Sequence, residues 1–300
     1  MDEKLIVVAG ATGNLGGRIA RALLQRGAGV VALVRYGSAP GKVEELRTRG
    51  ATIAEVDFSR LATVTAACSG ASCVVSAVSG LRDVIVESQT RLLESALSAG
   101  VPRFIPSDYC IDFTKLPPGT NRNLDWRREF RARLDEAPVA ATSILNGAFA
   151  DMLTGQAPIV LFKWKRVLYW GDADQRMDFT TIDDTAAFTA AAALDASTPR
   201  FLRIAGEQIS ARGLVTAAGE ATGDTFRLFR AGGLGRLQTV ITVARALFPA
   251  RTTLYPPWQG MQYLHNMFSG RAMLDPLDNG RYPGMRWTTV RDVLAQRKTR

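Results

Sequence analysis

Histidine is almost absent from this sequence: its 300 residues include one, His265. Zinc sites built on paired histidines are therefore excluded, and a Ser-His-Asp triad would rest on that residue alone. Cysteine is nearly as scarce. Cys68, Cys73 and Cys110 are odd in number and form no CxxC pair, so neither a disulfide framework nor a zinc ribbon is expected. They read as small buried apolar residues, and nothing beside Cys110 lowers its pKa. Long hydrophobic runs are missing as well, since every apolar stretch stops short of the ~20 residues that cross a bilayer. The opening Met1-Asp2-Glu3-Lys4 leads straight into a strand-length run at residues 5–9, followed by glycines rather than a cleavage site. That pattern predicts no signal peptide, no membrane attachment and a cytoplasmic location. Internal repeats and low-complexity linkers are also lacking.

The net charge of +9 raises the question of nucleic acid. The basic excess is spread along the chain, apart from a short tail, Gln296-Arg297-Lys298-Thr299-Arg300. No helix-turn-helix, zinc-finger or RNA-binding signature accompanies it, so a solvated arginine-rich surface is expected and no nucleic-acid partner.

At 47% hydrophobic, the chain is long enough to bury a full core. Its first half alternates strand and helix signals. Strands are expected at 5–9, 30–34, 52–56, 73–78, 103–105 and 141–145, with helices at 14–26, 42–49, 61–68, 83–99 and 124–136. Consecutive βα units with short connections predict an α/β fold, a doubly wound parallel sheet of Rossmann type. The expected division is 1–150 for this dinucleotide-binding domain and 151–300 for a smaller, mostly helical α/β annex covering the substrate, with closing elements of the sheet allowed from the second part. In that part the pattern predicts strands at 159–162, 167–170 and 201–204. Helices are expected at 184–193, 211–221, 234–247, 258–268 and 289–296.

Between the first strand and first helix lies Gly10-Ala11-Thr12-Gly13-Asn14-Leu15-Gly16-Gly17, a G-x-x-G-x-x-G spacing. Glycine permits a tight turn there, and side-chain-free backbone lets a pyrophosphate approach a helix N-terminus. Gly10, Thr12, Gly13, Asn14, Leu15 and Gly16 are thus candidate cofactor contacts. The second strand ends Ala32-Leu33-Val34-Arg35, without the acid that would accept from a ribose 2′-OH. Arg35 offers a charged fork to a 2′-phosphate, with Lys42 close enough to assist, so NADP(H) is the expected cofactor. The alternative is that Arg35 merely closes a strand edge. Beyond the carboxyl ends of strands three to five lie Asp57 and Phe58, then Val78, Ser79 and Gly80, then Ser107, all candidate contacts by topology. Asp57 would reach the adenine, and Ser79 and Gly80 the nicotinamide side.

Gly10–Gly17, Arg35, Val56-Asp57-Phe58 and Arg103-Phe104-Ile105-Pro106-Ser107-Asp108-Tyr109 together resemble the NmrA-like and isoflavone-reductase-like atypical short-chain dehydrogenases. Thr142-Ser143-Ile144-Leu145-Asn146-Gly147-Ala148-Phe149 resembles their sixth strand and following loop, which adds Asn146 to the candidate cofactor contacts. The resemblance implies NADPH binding. In the reductase branch it implies hydride delivery to a small, aromatic or conjugated substrate; in the regulatory branch, a non-catalytic redox sensor. A homodimer is allowed by either.

One departure bears on chemistry. No tyrosine here has lysine four residues on, so the Tyr-x-x-x-Lys pair common among short-chain dehydrogenases is missing. The lone lysine of the isoflavone-reductase branch falls, counting back from Thr142, on Arg127. Arginine stays protonated near neutrality and is a poor proton donor. Tyr109, Lys115 and Arg127 are the candidates left: Tyr109 as acid, Lys115 or Arg127 as the cation facing developing negative charge. The competing reading has Tyr109 packed and Lys115 a solvated loop charge. Asp183-Asp184 reads as a cap for an alanine-rich helix. Trp258, Met261, Tyr263, His265 and Phe268 form an aromatic-rich helix, either roofing a pocket or docked on the annex core.

Overall fold

The apolar run Leu5–Ala9 forms strand β1, buried along nearly its whole length, as a strand covered on both faces must be. Helix α1 (Asn14–Leu24) follows and buries Ile19, Ala20 and Leu23. The alternation continues through β2 (Gly29–Arg35), α2 (Pro40–Thr48), β3 (Thr52–Val56), α3 (Leu61–Cys68) and β4 (Cys73–Ser76). After α4 (Gln89–Ser98) come β5 (Arg103–Ile105), α5 (Arg122–Glu136) and β6 (Ala140–Ala141). In this computed structural model, which describes residues 4–250 and 252–297, the six strands are all parallel and ordered β3-β2-β1-β4-β5-β6. Residues 1–3 and the Lys298-Thr299-Arg300 end of the basic tail lie outside the described residues. The strand order reverses between β1 and β4, the switch point where a parallel α/β sheet opens a crevice at its carboxyl edge.

The expected mixed α/β fold with a parallel sheet is what forms, with local differences in its elements. The helix expected over 83–99 is wound in two ways, a π-helical turn at Asp83–Ser88 and then α4. At the junction Gln89 turns inward, buried, and donates to the Ile85 carbonyl at 3.0 Å. The sixth strand is shorter than the expected 141–145. Thr142 still donates to the Phe104 carbonyl, but Ser143 N–H already turns to the Arg200 carbonyl at 2.8 Å. In the second half, strands Arg176–Thr180 and Glu207–Ser210 pair antiparallel without having been expected. The polar Asp178 masks the first of them. Its buried carboxylate accepts from Gln208 Nε2 at 2.7 Å and from Leu274 N–H at 2.9 Å.

Two compact units are woven from the chain. One takes the stretch up to Tyr109, then Trp126–Ile144 and Thr185–Leu202; the other takes Cys110–Asp125, Leu145–Asp184 and the chain from Arg203 onward. The first contains the parallel sheet and a core of Val7, Val31, Leu33, Val74, Leu92, Phe104 and Phe130, among others. Within it Arg103 is buried and donates to the carbonyls of Ala192 and Ala193, at 3.0 and 2.8 Å. The second unit holds short sheets and the helices Ala211–Thr222, Leu234–Leu247, Pro257–Phe268 and Val290–Gln296. Helix α6 (Ile182–Leu194) begins there with Asp183 and Asp184 in its first turn. Its cap is Thr181, whose hydroxyl accepts from Asp184 N–H at 3.0 Å, while the Asp184 carboxylate accepts from Thr288 N–H at 2.8 Å. The expected acidic cap is therefore a tether, and only its dipole complement remains.

Candidate cofactor and active site

The β1–α1 turn is closed by Gly13 N–H donating to the Gly10 carbonyl at 2.9 Å. Gly10 has φ +80, and a Cβ there would meet the Ala77 carbonyl oxygen at 2.5 Å. A Cβ on Gly16 would strike the Gly10 carbonyl. Both glycines are thus required by the turn itself. Gly13 differs: its backbone is extended, it is exposed, and a Cβ would come no nearer than 3.1 Å to a neighbouring atom. A Cβ at Gly13 would thus press on the turn less than at Gly10 or Gly16, and the bareness of this exposed position leaves room for whatever approaches from outside. No side chain caps the first turn of α1. Its backbone N–H groups at Asn14, Leu15 and Gly16 carry the positive end of the helix dipole. This cradle fits a pyrophosphate. Thr12 and Leu15 are half-buried beside it, and the exposed Asn14 side chain accepts from Arg18.

Arg35 ends β2, exposed, and no acidic side chain among the described residues pairs with it. Lys42, on α2, is exposed as well. The register sets Arg35 opposite Val56, so the residues that follow, Tyr36 and Asp57, leave neighbouring strand ends. Asp57 accepts from Ser59 N–H at 2.8 Å, and hydrogen bonding by Ser59 holds its carboxyl below the usual carboxylate range. It is a fixed, ionised acceptor. Phe58 is half-buried against the core of the first unit.

At the ends of β4 and β5 the backbone is tightly held. The Ser107 hydroxyl donates to the Val78 carbonyl at 2.6 Å, and Ser107 N–H donates to Gln89 Oε1 at 2.8 Å. Ser107, nominated as a cofactor contact, thus spends its side chain in latching two strand ends together. Ser79 is exposed; a side chain on Gly80 would strike Val84, which keeps the segment close to the π-helical turn. Gln89 escaped the sequence reading, although a glutamine on the apolar face of an amphipathic helix, with Ile85, Val86, Leu92 and Leu93, is the signal that marks it.

Of the nominated proton-transfer residues, Tyr109 and Arg127 belong to the first unit and Lys115 to the second. Tyr109 is 7% exposed, with its phenol in an interior shared with Thr189 and Cys73. Burial drives its pKa upward, and the neighbouring Cys73 and Asp108 push it the same way. Lys115 belongs to the other unit, where its ammonium donates to the carbonyls of Met273 and Asp275 at 2.8 and 3.3 Å. Asn146 also lies in that unit: it is buried, its N–H donates to the Cys110 carbonyl, and its own carbonyl accepts from the Thr180 hydroxyl at 2.7 Å.

Arg127 stands on α5 near Asp108, a buried carboxyl three residues beyond the end of β5. Burial raises the Asp108 pKa, while the Ser143 hydroxyl and then Arg127, Arg200 and Arg131 pull it back. Ser143 Oγ donates to Asp108 at 2.7 Å and accepts from Arg200 at the same distance. This acid in a setting of guanidinium groups is the other feature the sequence reading missed. Among the described residues no group of three or more His, Cys, Asp or Glu side chains is gathered to hold a metal.

The parallel sheet with its glycine turn at the switch point defines a protein of the dinucleotide-binding Rossmann class. The NmrA-like family profile matches residues 2–233, and the chain belongs to that family. It is 32% identical over 204 residues to pinoresinol reductase 1 of Arabidopsis thaliana, covering 63% of this chain and 64% of that relative. A bifunctional pinoresinol-lariciresinol reductase of Linum perenne is 28% identical over 238 residues, 73% of this chain and 75% of its own length. Among solved structures, AtPrR2 with NADP+ and (+)pinoresinol superposes with a TM-score of 0.82 at 22% identity, over 99% of both chains.

Proposed function

We propose that this chain is a cytoplasmic, NADPH-dependent reductase of small aromatic or conjugated molecules. The observation that carries the reading is the pairing of a bare helix N-terminus at Gly13 with an exposed Arg35 at the adjacent strand end, which meets no acidic partner among the described residues. One accepts a pyrophosphate and the other a 2′-phosphate, two anions that a single NADPH presents together. Reductases of aromatic lignans among the relatives, and a structural neighbour holding NADP+, support the same cofactor and substrate class.

In this reading Asn14, Leu15 and Gly16 bind the pyrophosphate through backbone N–H groups, Arg35 and Lys42 hold the 2′-phosphate, and Asp57 accepts from the adenine amino group. Val78, Ser79 and Gly80 pass beside the nicotinamide. When bound, the cofactor supplies a hydride. The substrate then carries negative charge that requires a cation or donor nearby. Arg127 is the cation we assign to it, held in place by Asp108. Lys115 holds the 273–275 loop through its carbonyl contacts and acts as a positioning residue. The proton itself comes from solvent, because Tyr109 is buried and its pKa is raised.

The test is NADPH oxidation, followed by absorbance, across furofuran lignans such as pinoresinol, enones and quinones. Turnover of at least one aromatic or conjugated substrate is expected. Tight NADPH binding with no consumption across that whole screen would instead favour the non-catalytic redox sensor.

A further inference from the structure

Tyr36 is 65% exposed, one of several large aromatic side chains at the surface. The segment that carries it is not loose. Ser38 donates to the Arg35 carbonyl twice, from its N–H at 3.0 Å and from its hydroxyl at 2.7 Å, and Gly37 between them has φ +76. A locked turn therefore presents Tyr36 immediately beyond Arg35, at the carboxyl edge of β2. The parallel register brings Asp57 to the neighbouring strand end.

The chemistry of the ligand makes that adjacency informative. In NADPH the 2′-phosphate and the adenine are substituents on neighbouring carbons of one ribose. A phosphate anchored at Arg35 leaves the base within a few ångströms, on the side where Tyr36 and Asp57 emerge. Every nucleobase has a π-face that an exposed aromatic ring can cover, and such stacking is largely indifferent to salt.

We propose that Tyr36 is the stacking platform for the adenine of the cofactor, completing a site in which Arg35 reads the 2′-phosphate and Asp57 the base edge. The assignment rests on the NADPH reading above and deepens it: two residues in one turn recognise the two halves of a 2′-phosphoadenosine. Both side chains are exposed, so replacing either leaves the core intact.

The test is calorimetric titration of NADPH and of adenosine 2′,5′-bisphosphate into wild type, Tyr36→Ala, Tyr36→Phe and Arg35→Ala, each at low and high salt. Tyr36→Ala is expected to weaken both ligands about tenfold or more at either salt concentration. Tyr36→Phe should stay within about twofold of wild type, since the ring face survives. The Arg35→Ala loss should shrink at high salt, as screening removes what an exposed charge pair contributes. Wild-type affinity in Tyr36→Ala, or a Tyr36→Phe defect as large as that of alanine, overturns the platform while leaving the cofactor assignment standing. Absence of binding by wild type to either ligand overturns both.

Discussion

Tyr109 shows how far a residue's chemistry depends on where its ring points. In the sequence it sits beyond a strand end with Lys115 six residues on, the right neighbourhood for a general acid. In the fold its phenol is buried beside Thr189 and Cys73, and burial makes it a weaker acid still. A buried phenol with a raised pKa is a poor proton donor. Tyr109→Phe is therefore predicted to turn over within a few-fold of wild type, where a true general acid would lose ~10²–10⁴ in kcat. Arg127→Ala should lower kcat by about 10², the scale of losing one electrostatic stabiliser. Steady-state kinetics on any substrate found in the screen decide between them, and the reverse order of effects would restore the phenol. The place of Arg35 at a strand end and the glycine turn were legible from sequence because both are local features. Asp108 was not, because its setting is assembled from Arg127, Arg131, Ser143 and Arg200, far apart in the chain.

At the scale of elements, the β1–α1 turn separates two kinds of glycine. Gly10 is bound by its positive φ and by the Ala77 carbonyl, so Gly10→Ala should cost roughly 1–3 kcal/mol of stability through strain. Gly13 has ordinary extended backbone, so Gly13→Val should melt near wild type yet lose NADPH affinity by at least about tenfold, through steric exclusion of the pyrophosphate. Thermal melts and calorimetry on both variants check this, and a Gly13→Val protein that binds normally would reduce the loop to a turn. The strand β1 was legible residue for residue, because its unbroken apolar run is bounded by Lys4 and Gly10. The strand Arg176–Thr180 was not, since a buried carboxylate satisfied by Gln208 and Leu274 looks, in sequence, like a surface residue. The π-helical turn at Asp83–Ser88 was equally hidden. Its side chains keep a helical pattern, and only the hydrogen bonds of the backbone differ.

For the whole molecule, no helix among the described residues is long and apolar enough to cross a membrane. The single histidine gives a clean probe of how pH acts on the entire fold. His265 sits in the last turn of the helix Pro257–Phe268, where the dipole alone would favour its charged form. Burial wins, with Arg271 adding to it, and the pKa lies below the ordinary 6.5. A base whose pKa is depressed on folding binds fewer protons in the native state than in the unfolded one. Its contribution to stability is full above pH 6.5 and is lost as the pH falls through that value toward the folded pKa. The lone imidazole resonance should titrate below 6.5, and His265→Gln should flatten the slope of denaturation midpoint against pH in that window. A midpoint above 6.5 would mean that the helix end, not burial, governs the site.

If Arg35 reads the 2′-phosphate, titration of NADPH and NADH into wild type and Arg35→Ala at one fixed ionic strength will show it. Wild type should prefer NADPH by about ten- to a hundredfold, the scale of one charge-assisted pair. Arg35→Ala should erase most of that preference by weakening NADPH and leaving NADH nearly unchanged. Equal affinities for the two cofactors in wild type would contradict it.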